Sequence, residues 1–230
     1  MTRLTDLAAG LARVQAQITA GCLAAGRDPS EATLIVVTKT YPASDVRLLA
    51  GLGVREVGES RDQESAPKAA ECADLDLDWH FIGRLQTNKA RSVARYARAV
   101  HSVDRSSLVS ALDRAATEAG RPVECFVQVS LDGDTARGGV PADGVSEIAD
   151  SIADSSGLIL SGVMAVAPMR TNPDAAFAML WEVSQQVRDD HPKAVGISAG
   201  MSGDLTEALR HGATHLRVGS AVLGHRPALE

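Results

Sequence analysis

Apolar residues recur at Leu4, Leu7, Ala8, Leu11, Val14, Ile18 and Leu23. That is the spacing of one helix face, and it predicts an amphipathic helix over residues 4–25. Beyond it the pattern shortens. Runs of β type fall at 34–39, 55–58, 79–83, 99–103, 125–129, 158–166, 194–198 and 215–218. Between them, stretches such as 47–52, 88–96, 107–119 and 173–187 carry apolar positions at helical spacing. Eight β runs separated by helices predict an α/β fold. The count of eight favours a closed (β/α)8 TIM barrel over an open doubly wound sheet. No Pro- or Gly-rich linker breaks the rhythm, so residues 1–230 are expected to form a single domain with an N-terminal helix.

Composition narrows the partners. The chain has 230 residues, a size that suits an α/β barrel. Only 3% of the residues are aromatic, which argues against a base-stacking platform, and a net charge of −6 argues against general affinity for polyanions. No nucleic-acid partner is therefore expected, although basic residues between Arg84 and Arg98 leave room for a local anionic one. Cys22, Cys72 and Cys125 are scattered and form no CxxC pair, the usage of reduced thiols in the cytoplasm. The first residues lack a signal-peptide pattern, and no apolar run is long enough to span a bilayer, so no membrane partner is expected.

Ligands of parallel barrels bind at the C-terminal ends of the strands. Here the β runs are followed by Lys39, Glu59-Ser60, Gly83-Arg84, Ser102-Val103-Asp104, Met164, Ser198 through Ser202, and Arg217 through Ser220. Lys39 ends an apolar run just before Tyr41-Pro42, so it is predicted at the end of a buried strand. Burial favours the neutral amine, a nucleophile toward aldehydes. The same position also suits a lysine that snorkels to solvent. After runs seven and eight come Ser198-Ala199-Gly200-Met201-Ser202-Gly203-Asp204 and Arg217-Val218-Gly219-Ser220-Ala221. Glycines admit close backbone approach, Ser202 offers a hydroxyl, Gly219 and Ser220 offer amides, and Arg217 offers a charged fork. In a closed barrel strands one and eight are neighbours. A Schiff-base lysine beside a phosphate cup suggests pyridoxal 5′-phosphate (PLP), while a phosphosugar aldolase would use a similar set.

Longer motifs go further. Val37-Thr38-Lys39-Thr40, Trp79-His80-Phe81-Ile82-Gly83-Arg84-Leu85-Gln86-Thr87-Asn88-Lys89, His101-Ser102-Val103-Asp104, Gly200-Met201-Ser202 and Arg217-Val218-Gly219-Ser220-Ala221 occur in this order. Together they closely resemble the pyridoxal phosphate homeostasis protein family, also called the YggS/PROSC family, over nearly the whole chain. The resemblance implies a barrel like the N-terminal domain of alanine racemase. It implies PLP held as a covalent aldimine on Lys39, with Ser202 as the phosphate-loop serine and Arg217 facing the ring nitrogen or the phosphate. It implies storage, buffering or delivery of PLP without established turnover, and apo PLP-dependent enzymes as candidate recipients. The expected cofactor-binding set is Lys39, Ser60, His80, Met164, Ser198, Met201, Ser202, Arg217, Gly219 and Ser220. Two positions depart from the family pattern. Ser60 stands where an asparagine is usual, and Arg137 stands where a lysine is common, which puts secondary cofactor attachment there in doubt.

Smaller signals remain. His80 points either toward a bound ring or into a structural hydrogen bond. His211 and His215 have i, i+4 spacing but are not expected to bind metal. Asp104 is expected to cap a helix starting near Ser106, and Tyr41 to pack. The alternative function is a PLP enzyme such as an amino-acid racemase. A racemase needs a base on each face of the cofactor, and its second base, a tyrosine, comes from a further β-domain. The only tyrosines here are Tyr41 and Tyr96, and no such domain is expected. The balance favours a carrier, expected to be a monomer.

Overall fold

The computed structural model describes residues 2–134, 138–168 and 171–224. The chain opens with helix α1 (Arg3–Ala24), capped by the Thr2 hydroxyl accepting from the Thr5 amide. Strands and helices then alternate: β1 (Thr33–Val37), α2 (Ala43–Gly51), β2 (Glu56–Glu59), α3 (Asp62–Glu71) and β3 (Asp78–Phe81). Next come α4 (Ala90–Tyr96), β4 (Ala97–Val103), α5 (Ser106–Ala119) and β5 (Val123–Gln128). They are followed by α6 (Val145–Ala153), β6 (Leu158–Met164) and α7 (Pro173–Asp190). The chain continues with β7 (Gly196–Ser198), α8 (Leu205–Arg210), β8 (His215–Val218) and the short turn α9 (Ser220–Leu223). The strands follow one another in a closed parallel barrel. Closure is made by β1 against β8, with Thr33 opposite His215 and Val36 opposite Val218.

All eight predicted β runs are strands; the eighth has the predicted ends and the other seven have shifted ends. The largest consequence is at β1, which stops at Val37 rather than Lys39. The Thr38 amide still donates to Gly58, and then the chain turns, with the Tyr41 amide donating to Thr38. Thr40 sits at φ 71°, a left-handed conformation costly for a residue with a Cβ. Lys39 is therefore half-buried on a turn beyond the strand. Helix α3 was masked in the pattern by its polar composition and by Pro67 in its interior.

Two cores result. Residues facing outward from the strands, such as Val36, Val57, Val100 and Val127, pack under the helices with Val46, Val93, Leu112, Ile152 and Leu180. Inside the barrel Ala99, Phe126 and Met164 form a small separate cluster. Glycines make room there: a Cβ on Gly196 would stand 2.7 Å from the Phe126 ring, and one on Gly162 would stand 1.8 Å from the Gly196 carbonyl oxygen. On the outside α1 lies against α8 and α9, so closely that a Cβ on Gly10 would meet the Val222 oxygen at 2.3 Å. Cys22, Cys72 and Cys125 are buried and unpaired. Among the described residues no helix is long and apolar enough to cross a membrane.

Candidate functional site

The ends of β1 and β8 and the loop after β7 enclose a cleft of 330 Å³ lined by Val37, Lys39, Tyr41, Ile82, Val166, Met201, Ser202, Gly203, Arg217, Gly219 and Ser220. Its volume is within the range of small-ligand sites, roughly 300–1,000 Å³. The turn that carries Lys39 is held from below. Buried Glu59 accepts from the Thr38 hydroxyl at 2.7 Å and from Lys68 Nζ at 2.6 Å, and Lys68 also donates to the Thr38 carbonyl at 3.0 Å. Burial pushes the Glu59 carboxyl up, and the nearby Lys68 charge works against that shift. The Thr40 amide donates to Glu64 at 3.3 Å. Ends of β1, β2 and α3 are thus tied into one unit.

Arg217 forms the opposite wall. It is 5% exposed, and its guanidinium donates to Ser198 Oγ at 2.5 Å and to the Ala165 carbonyl at 2.9 Å. Both partners are neutral. Burial draws Arg217 down to about 10, opposed by the charge of Asp204, so it stays cationic at neutral pH. A buried cation held only by neutral acceptors favours an anion or an acceptor atom placed beside it. At the cleft mouth the Ser220 and Ser202 hydroxyls lie 3.4 Å apart.

Of the expected site residues, the cleft gathers Lys39, Met201, Ser202, Arg217, Gly219 and Ser220. Ser60, His80, Met164 and Ser198 do not line it. Ser60 follows β2 and lines a second cleft of 720 Å³ with Arg61, Arg84, Lys89 and Arg105. Met164 packs inside the barrel on Phe126 and Ala99. Ser198 lies beneath Arg217, and His80 sits in the lumen between Glu56 and His101. Asp104 does not cap α5; it accepts from Arg105 and from the Gly139 amide. The Tyr41 ring lines the cleft, but its hydroxyl donates to the Gly224 carbonyl at 2.9 Å. His211 pairs with Asp174, apart from His215, and no metal-binding cluster occurs among the described residues. Arg137 lies outside the described residues.

Sequence reasoning missed Ile82 and Val37 in the cleft, and Glu56, His101, Phe126 and His215 in the lumen. Strand alternation carries the signal. A Cβ on Gly58 would touch Ile35, Val37 and Ile82, so these positions share the inner face. The same alternation makes His80 in β3 and Ile82, just beyond its end, inward neighbours.

A sequence model described as alanine racemase, N-terminal domain, matches residues 19–227. The fold agrees: alanine racemase from Corynebacterium glutamicum superposes with a TM-score of 0.70 at 15% identity, over 99% of this chain and 63% of that one. The protein is thus a barrel of the alanine racemase N-terminal-domain class. Within that class, the chain belongs to the pyridoxal phosphate homeostasis protein family. It is 44% identical to the pyridoxal phosphate homeostasis protein of Mycobacterium leprae, over 96% of this chain and 93% of the relative. It is also similar to PipY of Synechococcus elongatus PCC7942, solved with PLP bound, at 33% identity and a TM-score of 0.84, covering 95% of this chain and 100% of that chain.

Proposed function

We propose that residues 1–230 act as one PLP-binding unit that stores, buffers or delivers the cofactor in the cytoplasm, without substantial turnover. The observation that carries this reading is the meeting of Lys39, Arg217, Ser202 and Ser220 in one cleft. When bound, PLP supplies an aldehyde that condenses with an amine, and a phosphate dianion. Lys39 offers the amine, while the Ser202 and Ser220 hydroxyls suit phosphate oxygens. Arg217 suits an acceptor atom of the ring or the phosphate. PLP bound to PipY supports the same assignment. Apo PLP-dependent enzymes are the proposed recipients, and the working form is a monomer.

The absence of substantial turnover is supported by the tyrosines. A racemase requires an acid opposite the lysine. Here the Tyr41 hydroxyl is engaged by Gly224, and that of Tyr96 shares a hydrogen bond with Ser65 at 2.8 Å. Burial pushes the Tyr96 phenol well up, opposing proton exchange.

The test is borohydride reduction of the PLP-loaded protein followed by peptide mapping. The adduct is expected on Lys39 and absent in Lys39→Ala. An adduct mainly on Lys89 or Lys193 overturns the site. Incubation of the loaded protein with L-alanine and other amino acids is expected to show no racemisation or keto-acid formation at enzyme rates, about 1–1,000 per second. Turnover at such rates that vanishes in Lys39→Ala overturns the carrier reading in favour of a racemase-like enzyme.

A further inference from the structure

We infer that Glu56, His80, His101 and Ser198 form one hydrogen-bonded chain in which every proton is donated in the direction from Arg217 to Glu56, and that this chain positions the Arg217 guanidinium for the cleft. The inference rests on the reading that a cofactor binds beside Arg217.

The chain runs through the barrel lumen. Arg217 Nη1 reaches Ser198 Oγ at 2.5 Å, Ser198 Oγ reaches His101 Nδ1 at 2.8 Å, His101 Nε2 reaches His80 Nδ1 at 2.8 Å, and His80 Nε2 reaches Glu56 Oε2 at 2.6 Å. With both imidazoles neutral, the location of every proton follows from the two ends. A guanidinium only donates, and an ionised carboxylate only accepts. Ser198 accepts from Arg217, so its own proton goes to His101 Nδ1. His101 then carries its proton on Nε2 and gives it to His80 Nδ1. His80 in turn carries its proton on Nε2 and gives it to Glu56. With both imidazoles neutral, the reverse sense would leave the His80 Nε2 lone pair facing the Glu56 carboxylate.

The surroundings support this protonation. His101 is buried completely, and burial, with the charge of Arg217 beside it, holds it neutral. Its ring stacks on Phe126 at 4.3 Å with 11° between planes, which fixes the direction of both nitrogens. Burial pushes Glu56 up, but the bond from His80 and the charge of Arg98 outweigh it and keep the carboxyl below its usual range. Glu56 opens β2, whereas the cleft lies beyond the other ends of the strands, so the chain spans the lumen from one rim toward the other. With Ser198 pinned from behind, Arg217 cannot turn away from the cleft without leaving the Ser198 oxygen and the Ala165 carbonyl unpaired.

Two measurements test the inference. The first uses protein without cofactor, labelled with ¹⁵N-histidine. NMR is expected to find His80 and His101 neutral with the proton on Nε2 at pH 7. A proton on Nδ1 of either ring, or a charged His101, overturns the chain. The second uses added PLP. Ser198→Ala is expected to weaken PLP retention about tenfold and to move the pH midpoint of the bound-cofactor spectrum. Ser198→Thr, which keeps the hydroxyl, is expected to restore both. Glu56→Gln, at the far rim, is expected to move the midpoint in the same direction by a smaller amount. An unmoved midpoint in Ser198→Ala overturns the positioning role. If wild-type protein binds no PLP while the tautomers are as expected, it is the proposed function that fails, and the inferred role toward a cofactor fails with it.

Discussion

The two sides of the barrel wall are built on opposite principles. Outside, between strands and helices, side chains such as Leu112, Val93, Ile152 and Leu180 are buried to the last few per cent and carry no polar atoms. Inside, the lumen holds Glu56, His80, His101, His215, Ser198 and Arg217 around a small apolar plug of Ala99, Phe126 and Met164. Apolar packing is non-directional, so the outer layer accepts many sequences of similar volume. Buried polar groups cost free energy unless each finds a partner in the right sense. The lumen therefore specifies orientation, while the outer layer supplies stability. Separating those two contributions by mutation tests the comparison.

The largest effect is expected from the outer layer. Leu112 is fully buried on α5. Leu112→Ala is expected to cost about 2–5 kcal/mol of unfolding free energy, measured by urea denaturation. PLP retention by the folded fraction is expected to be unchanged. A loss of retention larger than the loss of stability would mean that the two regions are not separable.

Acid should attack the lumen first. Burial holds His215 at about 4 against an ordinary 6.5, and His101 is shifted in the same direction. A histidine kept neutral in the fold binds its proton more weakly there than in the unfolded chain. Stability is then complete above about pH 6.5 and falls as pH drops toward 4, by about 2–3 kcal/mol for His215. Urea midpoints measured from pH 7.5 to 4 are expected to show this decline. The decline is expected to flatten in His215→Asn, and an unchanged slope in that variant would assign it to other groups.

The smallest stability effect, with a large effect on the site, is expected for Arg217→Met. Losing a hydrogen bond to a charged group costs binding about 1.5–3 kcal/mol, so PLP retention is expected to fall about 10–100-fold. The buried cation disappears at the same time, so the urea midpoint is expected to move less than in Leu112→Ala. Unchanged retention would move the cofactor's polar contact away from Arg217.

Legibility followed the same division. The eight strands and the amphipathic α1 were readable because apolar periodicity is a local property, written on consecutive residues. The rim position of Lys39 and the paired loops around Ser202 and Arg217 were readable because a parallel barrel gathers its strand ends on one face. Strand ends were less so: the chain continues apolar through Val37-Thr38, and only the hydrogen bond from Tyr41 to Thr38 ends the strand before Lys39. Ser60, His80, Met164 and Ser198 show the limit. Each occurs at or beside a strand end, yet one lines a different cleft and three turn into the lumen.

The chain by itself determined the architecture, the outer core and the rim that carries Lys39 and the loops around Ser202 and Arg217, because these depend on residue type and spacing along the backbone. Only the tertiary structure decided which polar side chains meet. Glu56, His80, His101, Ser198 and Arg217 come from five separate strands, 161 positions apart at the extremes (217 − 56). Their pairing depends on closure of the barrel and on room left by Gly162 and Gly196.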